Sequence, residues 1–259
     1  MRFGCCAGPE MGQALARAGY DYLELTVARH LQPEVDEAGW APLRRAIQAQ
    51  PLPVEAFNIL LPADLKVTGP AVDPERLGRY LGVAFQRAQA LGGQAIVFGS
   101  GGARAIPEGF PRDRAWSQIV GFLQRAGDLA ARRGITLCIE PLNRGESNVV
   151  HSLAEAVELA QDVGHPQVKA LVDLYHLFLE AEPMDHIVAA GGWVQHVHVA
   201  DTDRRAPGQG TYPYPAFVAA LRQIGYDGRC SVECLWQDLA AECGPALAFL
   251  RRTWEAAAL

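Results

Sequence analysis

Short apolar runs rich in β-branched and aromatic residues alternate along the chain with longer stretches of helical periodicity. This alternation is typical of βα units around a parallel sheet. Eight strands are predicted, and their starts lie 19 to 41 residues apart, close to the roughly 30 residues that one such unit requires. The predicted strands are 2–6, 21–26, 54–59, 95–100, 135–140, 168–173, 195–200 and 229–235.

Helical segments separate these strands. The stretches 74–92, 112–134 and 152–164 each carry an apolar stripe at three- to four-residue spacing and end at glycine. Ser152, with Glu155 three residues later, is a capping box that predicts a helix start. No low-complexity or linker segment divides the chain. We therefore predict one domain over 1–259, folded as a single (β/α)8 TIM barrel, with a doubly wound open sheet as the alternative.

Composition narrows the function classes. The 259 residues are 49% hydrophobic, and 23 Lys and Arg against 29 Asp and Glu give a net charge of −6. This acidic balance disfavours nucleic-acid and membrane-surface partners. With no signal-peptide pattern and no apolar run long enough to span a bilayer, a cytoplasmic protein is expected. The six cysteines form no C-x-x-C pair, and we interpret them as buried thiols without a metal or redox role.

Polar residues interrupt the last four predicted strands near their C-terminal ends, where barrel chemistry collects. An unpaired carboxylate in a packed strand costs on the order of several kcal/mol, and facing carboxylates repel unless a cation neutralises them. The set therefore predicts one divalent metal ion, namely Mn²⁺, Mg²⁺, Co²⁺ or Zn²⁺. Its members are Glu140, Asp173, His198 and Glu233.

When each residue is considered by itself, a purely structural role stays open. Glu140 and Asp173 could cap the helices that follow them, and His198 could be a satisfied core histidine. His196 shares the strand face of His198 and is expected one layer deeper, as a core residue. The loops after these strands also carry polar side chains, which are either substrate contacts or ordinary solvated residues. These loop residues are Glu146, His176 and Arg204.

The motifs that carry these residues resemble the xylose isomerase-like barrel superfamily, in particular its sugar isomerases and epimerases. The most specific motifs are IEPLNRGES, VDLYH, HVHVADTDR, PGQG and SVE, all downstream of residue 135. PLN after Glu140 is similar to the hydroxypyruvate isomerase branch, whereas RGES and DTDR are more similar to the ketose 3-epimerases.

The resemblance implies a metal held by Glu140, Asp173, His198 and Glu233, with the two glutamates also acting as catalytic acid and base. It likewise implies that Glu146, His176 and Arg204 contact substrate oxygens. The expected activity is isomerisation or epimerisation of a small ketose, inosose or hydroxy-keto acid through a metal-stabilised enediolate. A lyase or dehydratase on the same scaffold and a non-catalytic sugar-binding barrel remain alternatives. A homo-oligomer is compatible with the sequence.

Other barrel chemistries fit less well. Schiff-base aldolases need a lysine inside the barrel, and the chain has only Lys66, in a loop, and Lys169, at the structural rim. The turn GSGGAR ends in Arg104, where a dinucleotide loop needs its last glycine. The multi-zinc endonucleases of the superfamily need ligands on earlier strands, where Asn58 and Gly99 offer none.

Overall fold

Eight parallel strands close into a barrel in a computed structural model that describes residues 1–257. Each strand is hydrogen-bonded to the next in chain order, and the last pairs with the first. The predicted (β/α)8 barrel is therefore confirmed, and the open-sheet alternative is wrong. That the whole of 1–259 forms one domain stays a prediction, and its residues 258–259 lie outside the described residues.

The strands occur where the apolar runs predicted them, with ends that differ by at most three residues. Most differences shorten a strand at its C-terminal end, where polar residues turn into the loops. The strands are β1 (Arg2–Cys6), β2 (Tyr22–Thr26), β3 (Val54–Asn58), β4 (Ala95–Phe98), β5 (Thr136–Ile139), β6 (Val168–Asp173), β7 (Val194–Val199) and β8 (Arg229–Val232).

Helices surround the barrel, and they include the three that periodicity predicts, α3 (Pro74–Ala90), α5 (Arg112–Ala131) and α6 (Leu153–Val163). Short extra helices follow β4 and β6, on loops that border the C-terminal mouth. The helices are α1 (Gly12–Ala18), α2 (Glu37–Ala49), α3 (Pro74–Ala90), α4 (Gly101–Arg104), α5 (Arg112–Ala131), α6 (Leu153–Val163), α7 (Leu174–Leu179), α8 (Asp185–Ala190), α9 (Tyr214–Gln223) and α10 (Leu239–Ala256).

Apolar side chains fill the space between strands and helices in one large core. The barrel interior contains two small apolar clusters. One contains Tyr22, Ala56 and Ala95, and the other contains Val97, Cys138 and Leu171. Because strand side chains alternate between faces, the remaining inward positions are free for polar residues.

The two ends of the barrel interior differ. At the N-terminal end, Glu55 bonds to Arg2 and accepts a hydrogen bond of 2.7 Å from Arg229 Nε. These ion pairs fill that end of the barrel, where the Glu55 carboxylate is paired with two arginines. The C-terminal end instead collects acids and histidines, as described below.

The cysteines are all free thiols, and four are buried. Cys6 and Cys234 are only partly buried, so the expectation of uniformly buried thiols is wrong for these two. Both follow the end of a strand or lie at it, where the chain leaves the packed core.

Within residues 1–257, no helix combines the length and the apolar character needed to cross a bilayer. The cytoplasmic location stays a prediction.

The capping box at α6 is present in part. Ser152 Oγ accepts a hydrogen bond of 3.1 Å from Glu155 N, but the Glu155 carboxylate accepts from His151 N, one residue before the cap. We expect Ser152→Ala to lower the free energy of unfolding by about 1 kcal/mol, because one helix-end amide loses its acceptor. Chemical denaturation measures this change, and Ser152→Thr should retain most of the stability. An unchanged denaturation midpoint in the alanine variant would contradict this prediction.

Candidate metal centre and active site

Four side chains from successive strands meet at the C-terminal mouth of the barrel. Each offers one ligand atom, and these atoms all lie within 4.8 Å of one another. Glu140 follows β5, Asp173 ends β6, His198 lies on β7 and Glu233 follows β8. The structure thus brings together all four residues that the sequence predicts as ligands.

Three of the four side chains are buried, and the fourth is partly exposed. Glu140 and Asp173 are at most 5% exposed, and His198 is fully buried. The Glu233 side chain is 20% exposed. Glu233 is therefore the most exposed member of the cluster.

His198 connects the carboxylates through both ring nitrogens. Its Nδ1 lies 3.1 Å from Glu140 Oε1 and 3.5 Å from Glu233 Oε2. Its Nε2 lies 2.9 Å from Glu24 Oε1. The Nδ1 atom therefore faces the carboxylate cluster, and Nε2 faces the barrel interior.

Asp173 caps a helix and also belongs to the four-residue cluster. Its Oδ1 accepts hydrogen bonds from Tyr175 N at 2.6 Å and His176 N at 3.4 Å, so it caps α7. The same side chain contributes to the four-residue cluster. Capping orients the carboxylate, and an oriented carboxylate suits a ligand position.

The charges of the cluster are strongly coupled. Burial raises the pKa of Glu140, and neighbouring Glu233 raises it further, against the opposing hydrogen bond from His198. Burial also disfavours the charged form of Glu233, but His198 and Arg204 outweigh it and lower the Glu233 pKa to about 2. For His198, burial is outweighed by Glu24 and Glu233, which raise its pKa. The cluster therefore requires positive charge, which a proton on His198 or a cation can supply.

Gly99 makes room for Glu140. A Cβ atom built on Gly99 would lie 2.1 Å from Glu140 Oε2, far inside contact distance. Any other residue there would push the carboxylate out of its position. The glycine after β4 is therefore explained by the close approach of a functional side chain.

Arg104 holds the backbone of Glu140 from the protein interior. It is fully buried and donates hydrogen bonds to Phe98 O at 3.0 Å and Glu140 O at 2.7 Å. Burial lowers its pKa to about 10, so it stays charged at neutral pH. The GSGGAR turn thus joins the ends of β4 and β5, and its arginine points into the protein.

The loop residues Arg204 and Glu146 contact each other beside the four-residue cluster. Arg204 lies 3.0 Å from Glu146 Oε1 and 3.4 Å from Glu233 Oε2, and its guanidinium stacks 4.7 Å from the Tyr175 ring centroid. Asn143 Nδ2 donates to Glu146 Oε1 at 3.0 Å. All three loop residues predicted from sequence therefore border the cluster or contact its neighbours.

His176 presents a free donor. Its Nδ1 accepts from the Asn143 backbone N at 3.1 Å and lies 2.9 Å from Asn143 Nδ2, which assigns the proton of the neutral ring to Nε2. That Nε2 is buried and has no hydrogen-bond partner among residues 1–257. A substrate oxygen would satisfy it, since buried donors rarely stay unpaired.

The loop that carries Arg204 is organised by Asp201. This buried carboxylate accepts hydrogen bonds from the backbone N of Thr202, Gly208 and Tyr212 at 2.8 to 3.1 Å. Arg204 itself has a φ of 57°, in the left-handed region. Such a conformation persists only when its surroundings enforce it, which is common at functional sites.

Three contributors to the site were not predicted from sequence as site residues. Glu24 contacts His198, Asn143 links His176 to Glu146, and Asn58 Nδ2 donates to Glu233 Oε1 at 2.7 Å. Glu24 interrupts an apolar strand, which is the signal that could have identified it. The two asparagines carry no comparable signal.

The family follows from this fold and from a match to a known sequence profile. The profile of the xylose isomerase-like TIM barrel family matches residues 13–253. The chain belongs to this family. It is 31% identical to a D-psicose 3-epimerase of Agrobacterium fabrum over 85% of this chain and 77% of that protein. It is 28% identical to an L-ribulose 3-epimerase of a Methylomonas species over 92% and 89% of the two chains.

Solved structures agree in fold. A D-allulose 3-epimerase from a Methylomonas species, in complex with D-allulose, superposes with a TM-score of 0.84 at 25% identity over 98% of this chain and 97% of that one. A D-psicose 3-epimerase from Clostridium cellulolyticum, with D-tagatose, gives 0.84 at 21% identity over 98% and 99%. The prediction of an enzyme of the sugar isomerase or epimerase class is confirmed by these relatives.

The contact between Gly99 and Glu140 yields a test. We expect Gly99→Ala to reduce kcat/KM for epimerisation by about 100-fold, because it would displace the Glu140 carboxylate, and a misplacement of about 1 Å at a reacting centre typically costs that much. Steady-state kinetics measures the loss. The matched control is Gly78→Ala on α3, where the added Cβ meets nothing within 4 Å and should stabilise the helix by up to about 1 kcal/mol. Full activity in Gly99→Ala would show that this approach does not position the carboxylate.

Proposed function

We propose that this protein is a divalent-metal-dependent epimerase that inverts a hydroxyl-bearing carbon next to the ketone of a small ketose. The observation that carries the proposal is the convergence of Glu140, Asp173, His198 and Glu233 within 4.8 Å. The names of the relatives, D-psicose and L-ribulose 3-epimerases, support both the reaction and the substrate class.

The donor set fits a divalent cation. Three carboxylates and one imidazole suit Mn²⁺, Mg²⁺, Co²⁺ or Zn²⁺. Ligands of functional sites are usually held by further hydrogen bonds, and here Asp173 is held by backbone N–H groups and Glu233 by Asn58. When bound, the cation would polarise the ketone and stabilise negative charge on the adjacent oxygens.

Two glutamates would transfer the proton. Inversion of a carbon requires a group that removes its hydrogen from one face and a group that returns a proton to the other. Glu140 and Glu233 both approach His198 Nδ1, from β5 and β8 on opposite sides of β6 and β7. Each can serve as the base for one epimer and as the acid for the other, so the reaction is reversible.

The loop residues His176, Arg204 and Glu146 would hold the substrate. The unpartnered Nε2–H of His176 can donate to a sugar oxygen. Arg204 lies beside Glu233 and Glu146, so it can bind an oxygen near the reacting carbon. We assign Glu146 to the same hydroxyl-binding group, because carboxylates accept hydrogen bonds from sugar hydroxyls.

The substrate class is a small ketose. A partial match to a 3-dehydro-D-guloside 4-epimerase of Escherichia coli, 30% identical over 53% of this chain and 55% of that protein, again concerns a carbon beside a ketone. Inososes and hydroxy-keto acids share the same reacting unit, so they belong in the substrate panel. A homo-oligomeric state stays a prediction.

The reaction can be tested by following carbon-bound hydrogen. In deuterated water with Mn²⁺, we expect a ketose substrate to gain deuterium at the epimerised carbon, as read by NMR and mass spectrometry. Glu140→Gln and Glu233→Gln should each reduce the rate by about 10²- to 10⁴-fold, the usual contribution of general acid–base catalysis. The control is Glu158→Gln, an exposed glutamate on α6.

Each outcome of this experiment is decisive. Exchange that continues unchanged after metal removal and in Glu233→Gln would overturn the proposal. A product lighter by one water would instead identify a lyase or dehydratase. Sugar binding without any exchange would identify a non-catalytic barrel.

Protons and the cation should compete for the cluster. Because the pKa values of His198 and Glu140 are raised, these ligands hold protons to higher pH than usual, and a metal must displace them. The protonated His198 stabilises the metal-free fold at low pH, and this contribution is lost as the pH rises through its raised pKa. We therefore expect Mn²⁺ to raise Tm more at about pH 8 than at about pH 6. Equal increases in thermal melts at both pH values, against EDTA-treated controls, would contradict this prediction.

A further inference from the structure

Glu24 is a buried carboxylate at the centre of the barrel that the proposed chemistry does not use. It lies on β2 and is 1% exposed. Its Oε1 contacts His198 Nε2 at 2.9 Å, across the barrel on β7. Since β1 and β8 separate β2 from β7 in the closed sheet, this contact spans the barrel interior.

The second oxygen of Glu24 is also fully engaged. Oε2 accepts a hydrogen bond of 2.6 Å from Ser231 Oγ and lies 2.8 Å from His196 Nε2. Ser231 Oγ in turn lies 2.8 Å from the Tyr22 hydroxyl. Contacts from Ser231 on β8 and from His196 on β7 therefore fix the orientation of the carboxylate.

The contact determines which nitrogen of His198 is available. A carboxylate accepts but cannot donate, so Nε2 must carry a proton. Without a cation, Nδ1 also holds a proton, which it shares with Glu140 and Glu233. A cation would displace that proton and not the one held by Glu24, so Nδ1 is the nitrogen that can provide a lone pair. A carboxylate on the outer nitrogen also makes an imidazole a stronger ligand and locks the ring plane.

We propose, resting on the metal-dependent function above, that Glu24 is a positioning residue for the metal: it holds His198 in the Nε2–H tautomer and aims Nδ1 at the cation. It does not touch the substrate or the cation. This role also accounts for a charge at a depth where an unpaired carboxylate would cost on the order of several kcal/mol.

One competing use of Glu24 follows from Cys6. Ligand atoms of Cys6, Glu24 and His198 lie within 4.8 Å of one another, so they could form a second cation site. Such a site would have to break the bond between Glu24 and His198 Nε2, and the Glu24 oxygens already have three partners. The geometry therefore favours the positioning role.

The test is the Co²⁺ affinity of the metal-stripped full chain, followed by visible absorption. We expect Glu24→Gln to bind Co²⁺ about 10- to 100-fold more weakly than wild type, the usual loss when such an outer partner is removed, with an altered absorption spectrum. An amide cannot accept from His198, His196 and Ser231 together, and it lacks the charge. Glu24→Asp, which keeps the charge, should lose less affinity than Glu24→Gln.

The matched control is Glu55→Gln. Glu55 is also a glutamate inside the barrel, 7% exposed, but its arginine partners lie at the N-terminal end. This variant should bind Co²⁺ as wild type does, even if it loses stability. If Glu24→Gln does not fold, Ser231→Ala takes its place, because it removes one of the two partners of Glu24 Oε2 without touching His198. Its affinity should then fall below that of the control.

The outcomes separate this inference from the proposed function. Wild-type protein that binds no Co²⁺ would overturn both. Wild-type binding with unchanged affinity and spectrum in the folded Glu24 or Ser231 variants would overturn the positioning role alone. Two Co²⁺ ions per chain, with the second lost in both Cys6→Ser and Glu24→Gln, would also overturn it in favour of the second cation site.

Discussion

Mutual repulsion between three converging carboxylates, two of them buried, is the constraint on which this structure depends. Glu140, Asp173 and Glu233 converge with His198 at the mouth of a low-dielectric barrel. Such an arrangement is stable only if positive charge lies among them. A proton on His198 supplies part of it, and a divalent cation would supply more. In the proposed reaction, the same cation would stabilise the negative charge that develops when a proton leaves carbon. One ion would therefore balance the charge of the carboxylates and also assist the proposed chemistry.

Neighbouring groups hold the three carboxylate residues in place. Asp173 is fixed by the start of α7, Glu233 by Asn58, and the backbone of Glu140 by the buried guanidinium of Arg104. Gly99 gives the Glu140 carboxylate its space. The opposite end of the barrel is closed by arginine–glutamate pairs, so the cluster of acids and histidine lies at one end of the interior. This asymmetry is the usual division of labour in (β/α)8 barrels, with stability at the N-terminal face and chemistry at the C-terminal face.

Much of this arrangement could be predicted from sequence, because both periodicity and strand ends are local features. The apolar runs located eight strands, and acids or a histidine at the ends of the last four indicated one site. What could not be predicted depends on contacts between distant segments. Glu24 meets His198 across 174 positions of sequence, and Asn58 meets Glu233 across 175. Arg104, in a glycine-rich turn that the sequence related only to nucleotide binding, is buried because two strand ends offer it carbonyl oxygens.

The central claim is that one cation occupies the centre formed by Glu140, Asp173, His198 and Glu233. Anomalous diffraction from crystals grown with Mn²⁺ tests it most directly, because the signal locates the metal independently of the protein atoms. The account predicts one strong peak at about 2.0–2.6 Å from a ligand atom of each of the four residues, with His198 binding through Nδ1. A peak elsewhere, or none at this centre in crystals saturated with Mn²⁺, would contradict it.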